Sequence, residues 1–159
     1  SKFIFEEMGY NFLPTEISAA FGLVQLKKLK KFTATRQTNF NNLYEFFSKM
    51  KFFRLPRQLP EVKTSWLAFP LTINENAPFS RLELVKYLEM IGIQTRPIFT
   101  GNVLKQPAFS KINYKNLGKD YEIANYIMEN SFLIGCNHGL TEKHIEKIIE
   151  TFRSFLGKY

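Results

Sequence analysis

The residues best suited to chemistry lie in "TRPIFTGNVLKQPAF", Thr95 to Phe109. Arg96 is followed closely by Thr100, Gly101, Asn102, Lys105 and Gln106. A guanidinium beside neutral amides and hydroxyls can grip phosphate or sugar hydroxyls through forked, charge-assisted hydrogen bonds. The same run also reads as a capped surface loop with an exposed arginine. A second stretch, "GYNFLP" (Gly9 to Pro14), sets Asn11 just ahead of a helix start. Unpaired backbone N–H groups and the helix dipole favour an anion there, although a turn that merely caps the helix has the same composition. His138 lies in "GCNHGL", a loop after an apolar strand. Loops in that place often carry function, and Asn-His-Gly is equally an ordinary turn.

Other chemistries lack their residues. Neither His138 nor His144 has metal-ligand spacing with any partner, and His144 falls in a first helical turn where it faces solvent. The chain has no glycine-rich phosphate loop, no dinucleotide fingerprint and no Gly-x-Ser-x-Gly elbow. Its single cysteine, Cys136, excludes an internal disulfide framework, a Cys-only zinc site and a self-contained iron–sulfur cluster. It reads as a small buried hydrophobe in a protein of the reducing cytoplasm. No catalytic residue and no metal ligand is assigned.

These residues need elements to hold them. Pro14 or Thr15 starts a helix; Ile17, Phe21 and Val24 share one face, and Phe40, Leu43, Phe47 and Met50 continue the helical spacing. This is one long helix or two with a bend. After a loop marked by Pro56 and Pro60, "SWLAFPLTI" (Ser65 to Ile73) reads as a strand apolar on both sides, with Pro70 pointing to an edge or bulge. "SRLELVKYLEMIGI" is a helix with a Ser80/Glu83 capping box, ended by Gly92 as a left-handed cap. "QTRPIF" is a short strand, and a helix spans about Lys119 to Glu129. The apolar strand "SFLIG" follows, then a helix capped by Thr141 and packed through Ile145, Ile148, Ile149 and Phe152. The order predicts an α/β fold of the α+β two-layer kind, with about three strands and helices on one face.

Composition sets limits on the rest. The chain has 159 residues, enough for one domain with its own core, and 17 of them are Phe. So many aromatics suit either a ring-rich core or a surface that a partner covers. The net charge is +8, and residues 1–63 carry 11 Lys and Arg against 5 Glu. Such an excess could attract nucleic acid, an anionic membrane or a phosphorylated ligand. A basic nucleic-acid-binding module has only this charge in its favour, and Lys27, Lys28, Lys30 and Lys31 alternate with apolar residues as any solvated helix face does. No run of about 18 apolar residues could span a bilayer. Nucleic acid and membrane are therefore not expected partners.

Taken in order, "GYNFLPTEISAAFGLVQLKKL", "SWLAFPL" and "GIQTRPIFTGNVLKQPAF" resemble the C-terminal half of the DegT/StrS sugar aminotransferase family over nearly the whole chain. The "TRPIFTGN" loop is most similar to the family's 3-dehydratase branch, that of the CDP-4-keto-6-deoxyglucose and GDP-4-keto-6-deoxymannose enzymes. The resemblance implies the C-terminal small domain of a fold-type-I enzyme dependent on pyridoxal phosphate (PLP) or pyridoxamine phosphate (PMP). Residues 1–55 would be an interface arm and long helix, and 56–159 the small α/β domain. The implied reaction removes the 3-hydroxyl of a nucleotide-linked 4-keto-6-deoxy sugar in lipopolysaccharide O-antigen synthesis; a nucleotide-sugar aminotransferase is the alternative. The implied assembly is a cytoplasmic homodimer with shared active sites. Asn11, with Tyr10 beside it, would contact the cofactor phosphate. Arg96, Asn102, Trp66 and His138 would line the nucleotide-sugar side. Many relatives carry a basic residue where this chain has Leu13. The Schiff-base Lys or dehydratase His, and the cysteines of the [2Fe–2S] cluster found in the CDP-sugar branch, lie upstream of "GYN" in the family. The 159 residues are accordingly expected to be inactive alone.

Overall fold

The computed structural model describes residues 7, 9–10, 12–115 and 121–159. Asn11 and the expected helix start at Lys119 lie outside them. The chain divides into two compact units, Ser1–Phe32 and Thr33–Tyr159.

One helical stretch, α1 (Glu16–Ser48), runs for 33 residues, with Glu16–Phe32 in the first unit and Thr33–Ser48 in the second. Thr15 opens it, its Oγ1 accepting the Ser18 N–H at 3.4 Å, as an N-cap should. In the first unit the face expected to be apolar exists but is not covered: Ile17, Phe21 and Val24 are exposed, with Leu23, Leu26 and Leu29. Helices in proteins gain most of their stability from burying such a face.

The second unit holds the core. Four strands form one sheet in the order β1-β2-β4-β3, where β1 is Phe53–Arg54, β2 Ala68–Ile73, β3 Thr95–Pro97 and β4 Ser131–Gly135. Every neighbouring pair is antiparallel. β1 is the strand beyond the three expected; two residues long, it shows no alternation to read. Period-2 geometry puts Phe53, Phe69, Leu71, Ile73, Phe132 and Ile134 on one buried face. Against it pack the second half of α1 (Phe40, Leu43, Phe47), α2 (Arg81–Met90, through Leu84 and Leu88) and α4 (Glu142–Leu156, through Ile145, Phe152 and Phe155). On β2 the other face, Ala68, Pro70 and Thr72, is only half-buried, so the strand is not equally covered on both sides. Pro70 is in an inner strand, but β1 pairs only with Thr72 and Ile73. Beside Pro70 that side of β2 has no strand neighbour, which suits a residue without an N–H.

Local signals bound α2, although the expected Ser80/Glu83 capping box is only half made. Ser80 Oγ accepts the Glu83 N–H at 3.2 Å, while Glu83 Oε1 accepts the hydroxyl of Tyr159. Gly92 takes φ +82, and the Gly92 and Ile93 N–H groups return to the Glu89 and Leu88 carbonyls in a Schellman closure. Helix α3 (Glu122–Asn130) leads directly into β4. Among the described residues no helix is long and apolar enough to cross a membrane.

Candidate functional site

Glycine and asparagine give the loop after β3 its shape. As the edge strand, β3 sets Arg96 opposite Leu133 of β4 and leaves its side chain exposed. The chain then turns through two left-handed residues, Phe99 at φ 45 and Gly101 at φ 61. A Cβ on Gly101 would stand 2.3 Å from Met128 Cγ and 3.0 Å from Met128 Cα, so the loop lies flat on α3 only because that atom is missing. Phe99 has no such excuse. A non-glycine residue in this region carries of order 1–3 kcal/mol of strain, yet the Phe99 ring is 89% exposed.

Asn102 holds the turn from inside. Its Oδ1 accepts the Leu104 N–H at 3.0 Å and opens a 3₁₀ turn, Val103–Lys105. Its Nδ2 donates to Asn125 Oδ1 of α3 at 2.8 Å, and Gln106 Nε2 ties back to the Thr100 carbonyl at 3.0 Å. Asn102 is buried with its amide engaged by the fold, so the polar side chains this loop leaves exposed are Arg96, Thr100 and Lys105, beside an exposed Phe99. Replacing Asn102 by Ala removes a cap and a buried hydrogen bond. The expected loss is about 2 kcal/mol of unfolding free energy, read as a lower urea midpoint at unchanged slope.

Glu89 supports the strand end beneath Arg96. Its Oε1 accepts the Thr95 N–H at 2.5 Å and the Thr95 hydroxyl at 2.8 Å. These bonds, with a smaller pull from Arg96, hold the Glu89 carboxyl below the usual carboxylate range.

His138 belongs to a different cluster. Its Nδ1 accepts from Arg36 Nε at 3.2 Å, and Arg36 Nη1 donates to Ser65 Oγ at 3.2 Å. One turn on, buried Asn39 donates from Nδ2 to the carbonyls of Asn137 and Leu140 at 3.0 and 3.2 Å. Arg36 and Asn39 thus clamp the loop after β4 onto α1. Sequence reasoning passed over both; the available signal was a polar Asn39 directly beside the apolar stripe of Phe40 and Leu43. Trp66 stacks on Phe40 of α1 with ring centroids 4.3 Å apart, and its indole N–H donates to Gln58 Oε1 at 2.8 Å. Trp66 and His138 are therefore tied to α1, whereas Arg96 and Asn102 are held by β3, α3 and the turn between. Tyr10 is exposed, its ring 5.6 Å from that of Phe12.

Cys136 is buried beneath the clamp, its Sγ donating to the Arg36 carbonyl at 3.7 Å. Burial pushes the thiol from an ordinary 9.0 up to about 12, against a smaller opposing pull from Arg36. The thiolate is the reactive form, so Cys136 in the folded chain is expected to ignore a thiol-labelling reagent at pH 8 and to react once the chain unfolds. Its folded value lies above its unfolded one. Its contribution to stability is therefore complete below pH 9.0 and is lost as pH rises toward about 12.

Comparison with known proteins places this geometry. The lipopolysaccharide biosynthesis protein RfbH of Salmonella typhimurium is 36% identical over 159 residues, 98% of this chain and 36% of the relative. A GDP-4-keto-6-deoxy-D-mannose 3-dehydratase of Yersinia pseudotuberculosis is 38% identical over 137 residues, 86% of this chain and 34% of that protein. The chain thus spans about a third of the length of the curated relatives it matches. The structure of the E. coli GDP-4-keto-6-deoxy-D-mannose 3-dehydratase with bound hydrated PLP superposes with a TM-score of 0.81 at 30% identity, covering 94% of this chain and 38% of that one. The model of the DegT/DnrJ/EryC1/StrS aminotransferase family matches residues 1–153. The chain belongs to that family.

Proposed function

We propose that this chain is the C-terminal part of a PLP- or PMP-dependent nucleotide-sugar 3-dehydratase that serves lipopolysaccharide sugar synthesis. The observation that carries the reading is the Arg96–Gln106 loop. Its "TRPIFTGN" sequence is the branch-specific signal, and the fold fixes its shape through Gly101 and Asn102 while leaving Arg96 outward. Arg96 orients the nucleotide-linked sugar, and Asn102 acts on the site by holding the loop. Asn11, reaching from one subunit of a homodimer toward its neighbour, contacts the cofactor phosphate. Tyr10, beside Asn11 in the sequence, is exposed.

The test uses the full-length protein that contains this sequence, supplied with PMP and a nucleotide-linked 4-keto-6-deoxyhexose. A product that has lost its 3-hydroxyl, read by mass and NMR, supports the proposal. An amino sugar overturns it in favour of an aminotransferase, the reading that the family's name favours. The 159 residues alone are expected to show no stoichiometric absorbance band of bound PLP.

A further inference from the structure

At the β3 edge of the sheet a cleft of about 340 Å³ opens beside the first turns of α4. Ile93, Ile134 and Ile148 supply apolar wall, and Arg96, His144 and Lys147 bring three basic side chains to the same small volume. Among the described residues, no Asp or Glu lines it.

Each basic group is held in a way that leaves donors available. Lys147 Nζ gives one N–H to the Ile91 carbonyl at 3.2 Å, which anchors the ammonium and leaves two more. His144 Nδ1 accepts the Thr141 N–H at 3.0 Å. That bond assigns the neutral ring its proton on Nε2, at the far side of the imidazole from the cap. Arg96 has Glu89 nearby, but that carboxylate is engaged by Thr95 and is not in the lining. The positive end of the α4 dipole adds to the same field. Within the lining Arg96 and Lys147 carry like charge, with the Glu89 carboxylate outside the cleft beside Arg96, and an anion between the two cations is attracted to both.

We propose that this cleft is a binding site for a sugar phosphate. Arg96, Lys147 and the His144 Nε2–H take the phosphate oxygens. The side-chain amides of Gln94 and Asn137, also in the lining, take hydroxyls, and the isoleucines take the apolar face of the ring. The volume is near the lower end of small-molecule sites, roughly 300–1,000 Å³, which suits one sugar phosphate rather than a dinucleotide. The cleft shares Arg96 with the nucleotide-sugar reading but stands on Lys147, His144 and the cavity, so either can fail without the other.

The experiment is a titration of the chain with inorganic phosphate, glucose 1-phosphate and glucose, followed by amide chemical shifts. Glucose 1-phosphate is expected to move the signals of Gly92, Gly135 and Lys147 most tightly, phosphate more weakly, and glucose not at all. Arg96→Gln and Lys147→Gln should each weaken glucose 1-phosphate roughly tenfold, the loss of one charge-assisted bond. Lys86→Gln, which removes the same charge from α2, should change nothing. The proposal is overturned if those three amides stay still, or if Lys86→Gln weakens binding as much as Lys147→Gln. Equal affinity for phosphate and glucose 1-phosphate would reduce the cleft to a bare anion site and overturn its assignment to a sugar.

Discussion

A chain carrying Phe47→Ala is expected to lose about 4 kcal/mol of stability, in the range for truncating a buried phenylalanine. Phe47 is fully buried and is the meeting point of four rings. Its centroid lies 4.9 Å from Phe46, 5.4 Å from Phe53, 5.5 Å from Phe69 and 4.8 Å from Phe152. Those partners come from α1, β1, β2 and α4, so the void left by alanine is bordered by four elements that cannot all move inward. Edge-to-face contacts with Phe46, Phe53 and Phe152 add to the area term. For a domain of this size each kcal/mol shifts the melting midpoint by roughly 2–4 °C. The variant should then melt about 8–16 °C lower. A loss below about 1 kcal/mol would mean that the second half of α1 is not docked on the sheet.

Gly101→Ala is expected to cost about 3 kcal/mol, a large effect for one methyl group. Two terms add. The left-handed φ of 61 penalises any side chain by roughly 1–2 kcal/mol, and the new Cβ collides with Met128, down to its Cα at 3.0 Å, which adds overpacking of about 1–3 kcal/mol. Met128 could swing its Cγ away, but not its backbone. The loop must lift off α3, breaking the Asn102–Asn125 bond, and an amide spectrum would show it at those two residues. Gly22→Ala is the control. That position is helical with open space around it, so the substitution should leave stability unchanged or raise it.

Legibility followed the range of the physics. The α2 boundaries could be read because Ser80 and Gly92 act within four residues of themselves. The core face of α4 could be read because Ile145, Ile148 and Phe152 repeat at the helical period. Sheet order could not, since nothing local to Phe53–Arg54 says that it pairs with Ile73 and Thr72, and the antiparallel arrangement is a property of pairs. The candidate site divides in the same way. Arg96 was visible as a charge in a polar loop and is exposed at a strand edge. Asn102 was legible as polar, but that its amide is engaged inside the fold depends on Asn125 of α3, 23 residues away. Ile17, Phe21 and Val24 were legible as an apolar face; periodicity says a face exists, not what covers it.

The clamp on α1 has a consequence for how the chain is made. Asn39 binds carbonyls 98 and 101 residues further along, and Phe47 packs on Phe152 at the other end of the sequence. Contacts of such separation slow folding, because a long loop must close before anything is gained. Ribosomes add about 5–20 residues per second. Phe53 and Phe69 follow α1 closely in the chain, but the side of Phe47 that meets Phe152 waits on the order of 5–20 s until α4 is synthesised. Through that interval the nascent chain keeps the α4-facing part of its core open to solvent, and such surface is prone to aggregate.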